Sequence, residues 1–218
     1  MIVAKGDRCC PESLSEMGFG GPPEAGWEQT VRGDVKSMTA RNELATATFA
    51  GGCFWCMEPA FAGLEGVVAT VSGYTGGHKA GPTYEEVSSG TTGHLEALQV
   101  FYDSALVSYE RLLEIFWQNV NPTDAGGQFV DRGQQYRTAI FYHDAEQMRQ
   151  AEASKTKITL SGRFSGTIVT PILPAGPFYP AEEYHQDYYK KSPVRYKLYR
   201  YNSGRDQFLE SVWGKTSN

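Results

Sequence analysis

The chain is short of cysteine, of basic charge and of long apolar stretches, and each shortage removes a class of function. Four cysteines in 218 residues are too few for a disulfide framework. Lys plus Arg number 20 against 25 Asp plus Glu, a formal net charge of −5, so a basic face for neutralising phosphates is lacking and no nucleic-acid partner is expected. No apolar run approaches the roughly 18 residues of a membrane span, and the first 30 residues lack the apolar core of a secretory signal. Neither G-x-x-x-x-G-K-S/T nor a G-x-G-x-x-G after a strand occurs, which disfavours nucleotide binding. Internal repeats and low-complexity tracts are absent as well. What these absences leave is a soluble, cytoplasmic globular protein, expected to be a monomer, and long enough to bury a core without a metal or disulfide staple.

Composition shifts near Met38. Residues 1–37 hold only two aromatics, Phe19 and Trp27, and cluster Gly18, Gly20, Gly21, Pro22, Pro23 and Gly26 with no sustained period. Such a segment buries too little to offset its ordering entropy and reads as a poorly structured N-terminal extension. Met38 is a candidate start, and 38–218 reads as one domain. Its pattern is mixed α/β. Strands are expected over 45–50, 67–71, 94–102, 136–142 and 167–173, the last at an edge because of Pro171. Helices are expected from about Cys53, over 108–120, from an Asp144 cap to about Lys155, and from Pro180 to Tyr189.

The segment Gly51-Gly52-Cys53-Phe54-Trp55-Cys56 carries the clearest chemistry. A strand that ends in two glycines and turns into a helix puts Cys53 at the helix N-terminus, where free backbone N–H groups and the macrodipole favour a thiolate. Cys56 is one turn on and on the same face, suited to a disulfide. Half of a zinc site is the competing reading, but zinc wants four ligands. Cys9 and Cys10 are adjacent and lie in the extension, and His78, His94, His143 and His185 show no ligand spacing. Buried, inert core cysteines are a further alternative. Glu96 alternates with His94, Leu98 and Val100 on one strand face. If that face is buried, its carboxyl is raised toward neutrality and becomes a proton donor; if solvated, it is an ordinary surface acid. Tyr84 and Tyr136 follow polar or Gly-rich turns and are either hydrogen-bond donors to a substrate oxygen or core rings with wet tips. Glu182, Glu183 and Asp187 read as the solvated face of a short helix, and His185 as either packed on Tyr189, the favoured reading, or leaning into the site.

The octet Gly51–Glu58 resembles the active-site signature of the A-type peptide-methionine sulfoxide reductases, in its C-F-W-C form. Further blocks resemble the same family in order: 71–77, 82–87, 89–90, 93–97, 131–137 and 178–188. The resemblance implies a two-layer α-β plait, with a mixed or antiparallel sheet packed against helices. It makes 38–218 a catalytic domain that reduces the S-epimer of methionine sulfoxide, free or in proteins. It implies Cys53 as nucleophile, Glu96 as acid, and Tyr84 and Tyr136 on the sulfoxide oxygen. Phe54 and Trp55 would form the methyl pocket, and Asp131 would hold the substrate backbone. Cys56 would resolve a Cys53 sulfenic acid, because residues 57–218 contain no cysteine and a tail-borne resolving thiol is ruled out. No bound cofactor or metal is implied; the reductant would be an external dithiol, thioredoxin. A general dithiol-disulfide oxidoreductase is the alternative that C-x-x-C alone allows, and a zinc- or peptide-binding module is the non-enzymatic one.

Overall fold

Ala45–Gly51 (β1) turns Ala47 and Phe49 to one side and Ala50 to the other, and all three are buried, the signature of a strand covered on both faces. The computed structural model describes residues 44–214; the readings made of 1–37, of Met38 as a start and of Cys9 and Cys10 lie outside the described residues. Around β1 run Val67–Thr75 (β2), Leu95–Tyr102 (β3), Thr138–Tyr142 (β6), Ile172–Pro174 (β7) and Phe178–Pro180 (β8). They form one sheet in the order β7-β6-β1-β3-β2-β8. Every neighbouring pair is antiparallel except β6 and β7. A separate two-stranded ribbon joins Gly127–Gln128 (β4) to Asp131–Arg132 (β5).

Helices cover the sheet face that carries Phe49, Leu98, Val100 and Ile140. They are Phe54–Ala62 (α1), Tyr109–Trp117 (α3) and Ala145–Leu160 (α4), while Tyr84–Ser88 (α2) is a single short turn near β2. Phe49 anchors the packing, stacking on Phe61 at 5.4 Å, Phe116 at 5.3 Å and Tyr109 at 6.1 Å. Leu112, Leu113, Phe116 and Trp117 are the apolar stripe expected of residues 108–120, all buried. Ser108 Oγ accepts from Arg111 N–H to start α3, and Asp144 caps α4 by accepting from Gln147 N–H. The opposite sheet face holds a smaller cluster of Ala50, Ala97, Ala139 and Phe141. This is the mixed α/β layering that the resemblance implied.

Several boundaries differ from expectation, each for a tertiary reason. β2 does not stop at residue 71 but continues through Gly73 to Thr75, where β8 pairs with it: a Cβ on Gly73 would come 2.4 Å from the Tyr179 carbonyl oxygen. Tyr136 ends a 3₁₀ turn (Gln134–Tyr136) rather than opening β6. Of 167–173 only the end pairs, in parallel with β6 and at the sheet edge where Pro171 placed it. The helix expected from Pro180 to Tyr189 is absent. Pro180 ends β8, a 3₁₀ turn spans Glu183–His185, and Asp187 at φ +52 interrupts the chain before Tyr188–Lys191 (α5). The Gln186 amide explains the irregularity. It accepts from Ser72 N–H at 2.9 Å and donates to the Ser72 and Ala181 carbonyls at 2.9 and 2.8 Å, pinning the segment to β2. Pro193–Asn202 (α6) and Arg205–Trp213 (α7) complete the fold. The sequence reading placed no element there, since α6 buries no residue and α7 buries only Arg205.

Among the described residues no helix is long and apolar enough to cross a membrane.

Candidate active site

β1 ends in a turn that only glycine makes comfortably. Gly52 has φ +79, and a Cβ there would lie 2.6 Å from Gln128 Cβ and 3.1 Å from Arg205 Nη2. The turn delivers Cys53 to the N-cap of α1, and no acidic side chain occupies the first helical turn. The positive end of the helix therefore acts on the sulfur unopposed from within that turn. Cys56 N–H donates to the Cys53 carbonyl at 3.0 Å. Both cysteines are thiols and fully buried. The Cys56 thiol is pushed well above the usual cysteine range, first by its hydrogen bond with the Cys53 side chain and then by burial, while Arg205 and Arg200 pull it down.

Glu96 reaches this pair from β3. Its face of the strand is the buried one: His94, Glu96, Leu98 and Val100 are all at most 2% exposed. Glu96 Oε2 accepts from the Phe54 N–H at 3.1 Å, so the carboxyl sits against the residue that follows Cys53. Tyr136, at 3% exposure, joins Cys53, Phe54 and Trp55 in one buried cluster that also holds Tyr74 and Tyr188. Tyr84 packs on the edge of the same cluster. It opens α2 behind a Thr83–Glu86 capping box, and its N–H donates to Glu182 Oε1 at 2.8 Å.

The Trp55 indole fixes the far wall. It stacks on Tyr188 at 3.6 Å and 6°, and its Nε1–H donates to His185 Nδ1 at 3.1 Å. Burial holds the His185 pKa down at about 3, so the ring is neutral at pH 7. Since Nδ1 accepts from an indole that can only donate, the ring proton resides on Nε2. Asp131, 2% exposed on β5, accepts from the Tyr199 hydroxyl of α6 at 2.5 Å. Cys53, Cys56, Glu96, Tyr84, Tyr136, Phe54 and Trp55 thus converge, and Asp131 connects to them through Tyr199, whose ring meets Trp55 edge-on at 6.2 Å. No group of three or more His, Cys, Asp or Glu among the described residues could hold a metal ion.

A dithiol beside a buried acid, ringed by aromatics, suits reductive attack on a small polarised group. The family model described as peptide methionine sulfoxide reductase matches residues 45–217. The chain belongs to this family. The reductase is 58% identical over 178 residues to the MsrA peptide methionine sulfoxide reductase of Bacillus licheniformis, covering 82% of this chain and 97% of the relative. It is 56% identical over 177 residues to that of Bacillus subtilis strain 168, covering 81% and 99%. Among solved structures, reduced Mxr1 from Saccharomyces cerevisiae superposes with a TM-score of 0.66 at 30% identity, covering 70% of this chain and 88% of that one. Methionine sulfoxide reductase A of Corynebacterium diphtheriae gives 0.63 at 34%, covering 70% and 76%. The reductase is an oxidoreductase that converts methionine sulfoxide to methionine.

Sequence reasoning misjudged the 182–189 segment. Of the two readings of His185 the less favoured one holds: it does not pack on Tyr189, whose ring faces Tyr196, but leans into the site among Phe54, Trp55, Tyr84 and Tyr184. Glu182 lies on no regular helix, and although its side chain is 35% exposed it accepts from the Tyr74 hydroxyl at 2.9 Å as well as from Tyr84 N–H. Tyr188, Tyr199, Arg200 and Arg205 were not singled out. The contacts that tie them to the site reach more than 60 residues along the chain.

Proposed function

We propose that the reductase acts on the S-epimer of methionine sulfoxide, free or within proteins, in its C-F-W-C form with Cys53 as nucleophile and Cys56 as resolving thiol. The observation that carries this reading is the Phe54 N–H to Glu96 Oε2 bond of 3.1 Å, which holds a buried carboxyl next to the nucleophile. Attack by the Cys53 thiolate on the sulfoxide sulfur is feasible only as the oxygen gains a proton, and Glu96 in its acid form supplies it. The Tyr84 and Tyr136 phenols donate to the same oxygen. Phe54 and Trp55 line the methyl pocket, and Asp131 takes the substrate backbone. Methionine departs and leaves Cys53 as a sulfenic acid. Cys56 then attacks that sulfur, forming the disulfide and releasing water, and an external dithiol such as thioredoxin restores both thiols. The cycle uses no bound cofactor. The catalytic domain is 38–218, and the protein works as a cytoplasmic monomer.

Single-turnover reduction of racemic methionine sulfoxide without reductant tests the assignments. Wild type should consume one epimer, give about one methionine per enzyme, and end as a Cys53–Cys56 disulfide. Cys56→Ser should make that methionine and stall as a sulfenic acid, while Cys53→Ser makes none. Full activity in Cys53→Ser would return the protein to a general dithiol role.

A further inference from the structure

The C-terminal helix pair brings no cysteine to the redox centre, but it brings two guanidinium groups. Arg205 opens α7 and is fully buried. Its Nη2 donates to the Gly51 carbonyl at 3.0 Å and its Nη1 to the Asn119 carbonyl at 2.5 Å, with Met57 Sδ at 3.6 Å from Nη1. The Phe129 ring lies 4.7 Å from the guanidinium carbon, and Nε has no hydrogen-bond partner among the described residues. No carboxylate among the described residues forms an ion pair with it. A guanidinium does not give up its proton in proteins, and a buried charge without a counter-charge is costly. Arg200 on α6 reaches the same helix start, its Nη1 donating to the Cys56 carbonyl at 2.9 Å while Nε pairs with Asp206 at 2.8 Å.

We propose that Arg205, assisted by Arg200, is a positioning residue for the resolving step, supplying the positive charge against which the Cys56 thiolate forms. The proposal rests on the reading of Cys56 as resolving thiol. In that step the Cys56 sulfur loses its proton, its electron pair attacks the sulfenic sulfur of Cys53, the S–O bond breaks, and the departing hydroxide takes up a proton to leave as water. The Cys56 sulfur is oxidised and the sulfenic sulfur reduced, so no further reagent enters. Buried as it is, Cys56 could not ionise readily on its own. The groups facing it are the Cys53 sulfur on its own turn, Arg200 and Tyr196 from α6, and Arg205 from α7, with Asp206 partly offsetting Arg200. Arg205 has no such offset among the described residues.

The test follows sulfenic-acid decay and disulfide formation across pH 5–10 after a single turnover of the full chain. Wild type, Arg205→Lys, Arg205→Gln and Arg200→Gln are compared, with thermal unfolding of each as a check on folding. Arg205→Gln should slow disulfide formation about tenfold at pH 7 and move its pH midpoint up by about one unit. Arg200→Gln should move the midpoint in the same direction by less, and Arg205→Lys should restore most of it. A midpoint unmoved in both glutamine variants overturns the proposal, even where the rate falls, because a purely structural role would slow the step without shifting its pH profile. Should Arg205→Gln fail to fold, Arg200→Gln decides on the same reading. A wild-type enzyme that never forms the Cys53–Cys56 disulfide would instead remove the resolving role of Cys56, a result the arginine variants do not touch.

Discussion

Glu58 should make the reductase less stable as pH rises through neutrality. It sits on α1, 1% exposed. Its Oε1 accepts from Thr70 Oγ1 at 3.4 Å and from Asp187 N–H at 3.3 Å. Its Oε2 has no hydrogen-bond partner among the described residues. Burial, and then the Asp187 carboxylate, push the Glu58 pKa up from 4.5 to about 7. An acid with a higher pKa folded than unfolded binds its proton more tightly in the native state. Its favourable contribution is therefore complete below about 4.5 and is lost as pH climbs through about 7. With those two values, about 2.5 kcal/mol is lost between pH 5 and pH 8. Glu58→Gln keeps the Oε1 acceptor and cannot ionise; its new, unpartnered N–H costs about 1–3 kcal/mol at every pH. Urea unfolding of both proteins at pH 5 and pH 8 isolates the effect. The difference in stability should swing toward the variant by about 2.5 kcal/mol at the higher pH, other groups cancelling between the two proteins. A difference that stays flat with pH would refute the reasoning, since it would mean that Glu58 ionises as easily folded as unfolded.

Gly52→Ala should cost about 2–4 kcal/mol in chemical denaturation, combining a positive-φ penalty with overpacking against Gln128, and methionine formation should fall with it as Cys53 is displaced. Phe116→Ala removes a ring stacked on Phe49 and should lower stability by about 3–5 kcal/mol in the same assay. Glu96→Gln should reduce the single-turnover rate of methionine formation by about 10²–10⁴ at neutral pH, with thermal stability changed little; a rate near wild type would take the acid role from Glu96.

Much of the site was legible because its signals are local. A strand, two glycines and a helix start place Cys53 with no knowledge of the rest of the chain, and a spacing of three puts Cys56 one turn away. Alternation along β3 put Glu96 on one strand face with His94, Leu98 and Val100, and left open whether that face would be buried or solvated. The segment around His185 was illegible for the opposite reason. Its proline and acidic residues have the composition of a helix start, yet Gln186 bonds to Ser72 and Glu182 to Tyr74 and Tyr84, and these contacts outweigh a preference worth a fraction of a kcal/mol per residue. The helices α6 and α7 show no apolar stripe, so periodicity could not detect them.

The sequence by itself thus determined the cysteine pair, its helix start and the alternating strands, since each depends on backbone geometry and neighbours a few residues apart. Only the tertiary structure decided that Glu96 meets Phe54, that His185 meets Trp55, and that Arg200 and Arg205 donate to the Cys56 and Gly51 carbonyls. Those contacts join residues 42 to 154 positions apart, and what selects them is burial of charged and polar groups that must find partners once water is excluded.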